Sequence, residues 1–318
     1  MGIPKKVTLV EVGLRDGLQN ECCKIGKDQK LSLIDAIIDS GIKIMEVGSF
    51  VRPDKVPQMA DTAELFQSIC QREYANDLEF RALIPNYRGL ENAIHSGCES
   101  VKIGVSASRI HNLRNYNRTP EESIAAFKTV FELAAAKGVA VIGTVQMAFG
   151  SPWEGEISVD DIISIIQIYN HYGITKVGLG DTSSMANPKL VYRICTELCS
   201  RFPQIHFKAH FHNARGLGLC NVMAAMEAGL TEFDASFAGL GGCPFVPDAA
   251  GNIATEDLLN LFNELDIETG IDIEKTIEIG KQVEQLVGHI GNSYVLRAGT
   301  SVSLLEKMKR SQATCNMK

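Results

Sequence analysis

The chain has no run approaching ~18 consecutive apolar residues, so no ordinary membrane-spanning helix is expected in it. It has no Cys-x-x-Cys pair, although it holds nine cysteines. That count is odd and the residues are scattered. Cys22 adjoins Cys23, and Cys195 stands four residues before Cys199. Such a set reads as reduced thiols rather than a disulfide framework. Positive charge is in deficit, with 31 Lys and Arg against 38 Asp and Glu and a formal net charge of −7. A nucleic acid is therefore not expected as the main partner, because phosphate binding needs a basic face. No linker, low-complexity segment or short-period repeat divides the chain. The start, MGIPKKVTLVEV, is expected to enter a strand almost at once, so no signal or transit peptide is expected in it. Lys6 also breaks the myristoylation pattern that Gly2 would begin. The expected compartment is the cytoplasm.

What is present is the composition of a globular protein: 318 residues, 45% hydrophobic and 22% charged. A chain of ~300 residues buries about three quarters of its unfolded surface and needs no staples. Short β-branched runs recur along it at 7–12, 42–47, 78–84, 100–105, 139–147, 176–180, 205–212 and 231–237. A polar or glycine-rich turn follows each, then a segment of helical period. TPEESIAAFKTVFELAAAKG offers Thr119 as a cap, Pro120 in the first turn, Glu122 three residues on and Gly138 as a stop. NPKLVYRICTELCSRF is a second such helix. Eight β–α units with short connections predict a (β/α)8 TIM barrel. A doubly wound sheet is the alternative, but eight units over ~260 residues favour closure. The barrel is expected over 1–270. Two further helices, near 273–287 and 301–309, are expected to form a C-terminal appendage over 271–318.

Barrel chemistry sits at the C-terminal ends of the strands. Those ends carry Arg15 and Asp16 after the first strand, Glu46, Gly48 and Ser49 at the second, Asp181 at the sixth, and His210 and His212 at the seventh. The loop after the eighth carries Cys243 and Asn252. Residues i and i+2 of a strand share a face, so His210 and His212 point the same way. Closure sets strand eight between strands seven and one, which makes Asp16 a neighbour of both. A carboxylate and two imidazoles on one rim form a divalent metal site. Two hydrogen-bonded core histidines are the competing reading. Mixed nitrogen and oxygen ligands favour Mg²⁺ or Mn²⁺, and the lack of a thiolate ligand disfavours Zn²⁺.

VEVGLRDGLQNE, MEVGSFVRPDKVPQMADT, LGDT, HFH, AGLGGCPF and AGNIATEDL, in this order, resemble the 3-hydroxy-3-methylglutaryl-CoA (HMG-CoA) lyase family from residue 7 to about 260. The cysteine-bearing glycine loop is the most discriminating piece. The resemblance implies a barrel, a divalent cation, an acyl-CoA substrate, cleavage of a 3-hydroxyacyl-CoA to acetyl-CoA and a keto acid, and a homodimer. It implies Asp16, His210, His212 and Asn252 as metal ligands, Arg15 as the catalytic arginine, Glu46 and Asp181 as active-site carboxylates, and Cys243 as the loop cysteine. Gln19, Ser49 and Asn115 match positions of substrate contacts. Cys315 resembles the cysteine-bearing tail of some members.

These types suit the chemistry. Cleavage requires the C3 hydroxyl to lose a proton and C2 to leave as a thioester enolate. Asp181 or Glu46 is expected to take the proton. Arg15 is expected to hold charge on the thioester oxygen, and Cys243 to protonate the enolate carbon. The nearest alternatives are a Claisen-type synthase, disfavoured by the cysteine loop, and a silent acyl-CoA-binding relative, disfavoured by the complete ligand set.

The sequence departs from the family at Gly48, at Arg109 and His111, at Ser151, after Thr182, and in the run Asn213-Ala214-Arg215. The last of these is expected to make the rim more positive and to alter what it admits. Arg215 is expected to start the helix after strand seven.

Overall fold

A computed structural model describes residues 2–74, 77–242 and 251–315. Eight parallel strands close in chain order: β1 Thr8–Glu11, β2 Ile44–Ser49, β3 Glu79–Leu83, β4 Ser100–Ser106, β5 Ala140–Gln146, β6 Lys176–Asp181, β7 His206–Phe211 and β8 Glu232–Ala235. Closure is made by β1 and β8, with Val10 opposite Asp234. All eight expected runs are strands, each within a few residues of its expected bounds.

Local chemistry sets the connecting helices. Thr119 accepts a hydrogen bond from the Glu122 amide, and the Glu122 carboxylate accepts one from the Thr119 amide. Helix Pro120–Lys137 then runs to Gly138, which has a φ of +68°. Asn187 caps helix Pro188–Arg201 by accepting from Leu190 N at 3.1 Å. Its inward face is Leu190, Val191, Ile194, Cys195 and Leu198. Cys195 is thus a packing residue, and burial pushes its thiol pKa up.

Helix Ile273–Val287 adjoins helices Thr255–Glu264 and Lys27–Asp39, and its Ile277, Ile279, Val283 and Val287 join the main core. A short helix not expected from the sequence, Val295–Ala298, follows it. Asp257 holds that turn by accepting from Ser293 Oγ, Tyr294 N and Val295 N. The last helix, Ser301–Cys315, runs beyond the expected 309 and exposes Val302, Leu305 and Met308. Among the described residues, no helix is long and apolar enough to cross a membrane.

The barrel interior differs from the usual filling of branched aliphatics. Buried charges cross it. Arg81 donates to Glu79 and Glu232, Lys208 to Asp234, and Lys102 to Glu46. Each charge has a partner of opposite sign, which is the condition for keeping it in a dry interior.

Candidate active site

The turn after β1 brings Arg15 and Asp16 to the rim. Residues Gly13–Gly17 form one π-helical turn, and Asp16 N donates to Val12 O at 2.7 Å. Glu11 supports the turn from behind. Its Oε1 accepts from Gly13 N at 2.6 Å and Phe237 N at 3.2 Å, and its Oε2 accepts from Thr255 Oγ1 at 2.6 Å. A Cβ at position 13 would lie 2.5 Å from Glu11 Oε1 and would displace the carboxylate from Gly13 N. Burial pushes the Glu11 carboxyl up to about 8.

Asp16, His210 and His212 converge, with one ligand atom of each within 4.8 Å of the others. His210 Nε2 is 3.2 Å from His212 Nε2 and 3.9 Å from Asp16 Oδ2. His210 Nδ1 lies 3.2 Å from Asp234 Oδ2. That contact assigns the His210 proton to Nδ1 and leaves the Nε2 lone pair facing the cluster. Asn252 joins from the other side, where Nδ2 donates to Asp16 Oδ2 at 2.9 Å and to Leu240 O at 2.8 Å. Its Oδ1 is buried and accepts no hydrogen bond among the described residues. A carboxylate and two imidazoles, with an amide adjoining the carboxylate whose oxygen is orphaned, are a donor set that fits a divalent cation. Burial would raise the Asp16 carboxyl, but Arg15, His210 and His212 hold it well below the usual carboxylate range. Burial, then the neighbouring His210, lowers His212 to about 4, the neutral form that metal binding needs.

Arg15 is locked. Nε donates to Glu46 Oε2 at 2.8 Å, and the two terminal nitrogens reach Asp16 and Glu46. Lys102 takes the other Glu46 oxygen. Burial opposes ionisation of Glu46, but Arg15 and Lys102 outweigh it and hold the carboxyl at about 2.

The remaining expected residues are placed unequally. Gln19 is half-buried at the cluster's edge, with Nε2 3.3 Å from Asp16 Oδ1. Ser49 is buried at the end of β2, and its Oγ has no hydrogen-bond partner among the described residues. Asn115 is half-buried on helix Arg109–Tyr116 and is not joined to the cluster. Asp181 adjoins the cluster through the backbone: the register sets it opposite Phe211, and the His212 backbone is among the groups that act on its carboxylate. Its Oδ1 accepts from Ala186 N at 2.9 Å, while Oδ2 is buried with no hydrogen-bond partner among the described residues. Burial pushes its carboxyl up to about 7. Cys243 lies outside the described residues, as does the side chain of Cys315.

Residues 6–283 match the HMGL-like family. The chain belongs to that family. A 3-hydroxy-3-isohexenylglutaryl-CoA/hydroxymethylglutaryl-CoA lyase of Pseudomonas aeruginosa is 37% identical over 94% of this chain and 98% of its own. An (R)-citramalyl-CoA lyase of Chloroflexus aurantiacus is 36% identical, covering 91% and 96%. An HMG-CoA lyase of Acinetobacter baumannii, solved with coenzyme A and 3-methylmalate, superposes with a TM-score of 0.88 at 39% identity, covering 93% of this chain and 96% of that one. As in its HMGL-like relatives, the chemistry of this chain is that of a carbon–carbon lyase.

Several departures from the HMGL-like pattern have packing causes. A Cβ at Gly48 would lie 2.4 Å from Thr62 Oγ1, which accepts from Ser49 N at 3.1 Å. Gly48 is therefore matched to Thr62 on the neighbouring helix. His111 is buried and stacked on Trp153, with centroids 6.1 Å apart. Ser151 is buried with its Oγ 3.1 Å from Ser108 Oγ. Arg109 pairs with Glu121 at the surface. Arg215 does not start a helix, because helix Gly218–Glu227 begins three residues later and Asn213 Oδ1 accepts from Gly218 N at its entrance. Instead Arg215 Nη1 donates to Ser183 O and Ser184 O at 3.1 Å each, tying down the turn after Asp181.

Glu11, Lys102, Lys208 and Asp234 did not stand out in the sequence. The signal was available. Lys208, Glu232 and Asp234 share strand parity with lumenal residues, and a charge inside a barrel strand has the lumen as its place.

Proposed function

We propose that the protein cleaves a 3-hydroxyacyl-CoA of the hydroxymethylglutaryl type to acetyl-CoA and a keto acid, which is acetoacetate when HMG-CoA is the substrate. One observation carries this reading: adjacent residues of one turn, Arg15 and Asp16, supply an oriented guanidinium and a metal-ligating carboxylate at the same rim as His210 and His212. Asp16, His210, His212 and Asn252 Oδ1 would hold the ion. Mg²⁺ or Mn²⁺ suits them better than Zn²⁺, since two of the four donors are oxygens. When bound, such an ion supplies Lewis acidity to the substrate's C3 hydroxyl and carboxylate oxygens.

The chain's own residues do the rest. Glu46 and Asp16 aim the Arg15 guanidinium, which is positioned to stabilise the thioester oxygen as it gains charge. Glu46 is a poor base because two cations hold its proton affinity low. Asp181, pushed to about 7 and with one oxygen uncommitted, has the affinity a base near neutrality needs. Cys243 is the proposed donor to the enolate carbon. Gln19, Ser49 and Asn115 are proposed substrate contacts. The catalytic barrel over 1–270, the helical appendage over 271–318, a homodimer and a cytoplasmic setting belong to the same reading.

Acetyl-CoA release from HMG-CoA, citramalyl-CoA and an isohexenyl homologue, each with Mn²⁺ or EDTA, tests the proposal and ranks the substrates. Release from at least one, abolished by EDTA, is the expected result. No release from any of the three overturns it. In the same assay Cys243→Ser, with a much weaker acid of similar size, is expected to lower turnover by roughly 10²-fold or more.

A further inference from the structure

The rim residues stand on a charged floor, and one side chain in that floor is singularly placed. Lys102 extends from β4 across the lumen and is 5% exposed. Its Nζ donates to Glu46 Oε1 on β2 and lies 3.7 Å from Asp234 Oδ2 on β8. Those two carboxylates have further duties. Glu46 Oε2 accepts from Arg15, and Asp234 Oδ2 lies 3.2 Å from His210 Nδ1. The side chains of Glu46 and Asp234 have no solvent exposure at all. Water therefore cannot screen their mutual repulsion, and a cation between them must do so.

Lys208 takes Asp234 Oδ1 from the opposite side. Asp234 is consequently held by one ammonium on each oxygen, and Glu46 by Lys102 on one oxygen and Arg15 on the other.

We propose that Lys102 is a positioning residue that couples the two halves of the active site, holding Glu46 against Arg15 and Asp234 against His210 through one buried ammonium. The guanidinium and the imidazole then keep their relative placement because the carboxylates behind them share a cation. Removing that cation lets both carboxylates shift, so the metal site and the arginine lose alignment together. The kinetic part of this inference rests on the lyase reading above, whereas the metal-binding part does not.

The test uses Lys102→Met, which keeps length and removes charge, with Lys30→Met as the control. Lys30 is an equally buried ammonium outside the lumen, bound to Asp61 and Gln58 O. Mn²⁺ binding to the metal-free full chain is measured by calorimetry, and kcat and KM at saturating Mn²⁺. For Lys102→Met a roughly 10-fold weaker Mn²⁺ affinity is expected, the low end of the range for a group behind a metal ligand. A fall in kcat of about 10²-fold with little change in KM is expected from misplacement of a transition-state group. Lys30→Met is expected to lower the melting temperature while leaving Mn²⁺ affinity and kcat near wild type. Should Lys102→Met not fold, Lys102→Gln keeps a donor to Glu46 without charge and carries the same readouts. Wild-type Mn²⁺ affinity in the Lys102 variant, or equal weakening by Lys30→Met, overturns the coupling. A wild-type protein that binds Mn²⁺ but cleaves no acyl-CoA counts against the lyase reading alone, and the isotherms still decide the role of Lys102.

Discussion

His210 Nε2 and His212 Nε2 face each other at 3.2 Å, with Asp16 Oδ2 3.9 Å from the first of them. Two imidazole nitrogens that close either share a proton or offer both lone pairs to a third body, and the Asp16 carboxylate beside them suits the second. Asp234 behind His210 takes the Nδ1 proton and leaves the Nε2 lone pair facing the cluster. Mn²⁺ is therefore expected to raise the melting temperature of the metal-free chain. Saturation to 100 times Kd is worth about 2.7 kcal/mol, a shift of several degrees. His210→Ala and Asn252→Ala should each reduce the shift. An unchanged melting temperature on adding Mn²⁺ at millimolar concentration would count against the site.

The choice of base is the next prediction. Asp181→Asn removes the carboxylate whose proton affinity lies near neutrality and keeps an oxygen for Ala186 N. Turnover is expected to fall by roughly 10²- to 10⁴-fold, the usual range for losing a general base. Mn²⁺ affinity should stay near wild type. Loss of metal binding instead would make Asp181 a support for the rim, and full activity would move the base elsewhere.

The barrel was legible from the sequence because closed parallel sheets write themselves as evenly spaced β-branched runs, and every run from 7–12 to 231–237 became a strand. The His210–His212–Asp16 cluster was legible for an equally simple reason: strand alternation fixes the pair, and closure fixes the neighbour. What was not legible came from longer-range geometry. That Asp181 is set opposite Phe211 and not opposite His210 depends on strand register, which composition does not record. Lys102 meets Glu46 and Asp234 only across the lumen, between strands far apart in the chain. Gly48 read as a change at the catalytic rim because its partner, Thr62, is on a helix.

Buried acids behind the rim make stability depend on pH. Glu11 has a carboxyl raised by burial from 4.5 to about 8, and Glu256, which accepts from Ala238 N, is raised to about 7. Below pH 4.5 both states hold these protons and nothing is lost. Above it the unfolded chain releases them while the folded chain retains them, so stability falls as pH rises through 8 for Glu11 and through 7 for Glu256. Glu11→Gln keeps an acceptor for Gly13 N and Phe237 N and removes the charge. The variant should lose less stability than wild type between pH 5 and 9, by up to a few kcal/mol, since one unit of displacement is worth about 1.4 kcal/mol. Urea midpoints across that range measure it. Parallel profiles for the two proteins would show that Glu11 does not titrate there.

Gly48 and Thr62 form a pair whose energetics separate packing from specificity. A Cβ at residue 48 would sit 2.4 Å from Thr62 Oγ1 and 2.9 Å from its Cγ2, distances that no side chain tolerates without movement. Thr62 is buried and already committed, accepting from Ser49 N and donating to Met59 O at 2.8 Å. Gly48→Thr alone is therefore expected to destabilise the fold by about 1–3 kcal/mol, the usual cost of overfilling a packed site. Thr62→Ala alone loses the hydroxyl's two hydrogen bonds and costs about 1–2 kcal/mol. Combined, the two changes relieve the clash, because alanine lacks both offending atoms. The double variant should thus be more stable than the sum of the single losses implies, with a coupling of at least about 1 kcal/mol. If Gly48 were instead a change in what the rim admits, Gly48→Thr would alter the ranking of hydroxyacyl-CoA substrates even in the Thr62→Ala background. The packing account expects that ranking to stay as it is in wild type, and a reordered ranking in the double variant would refute it.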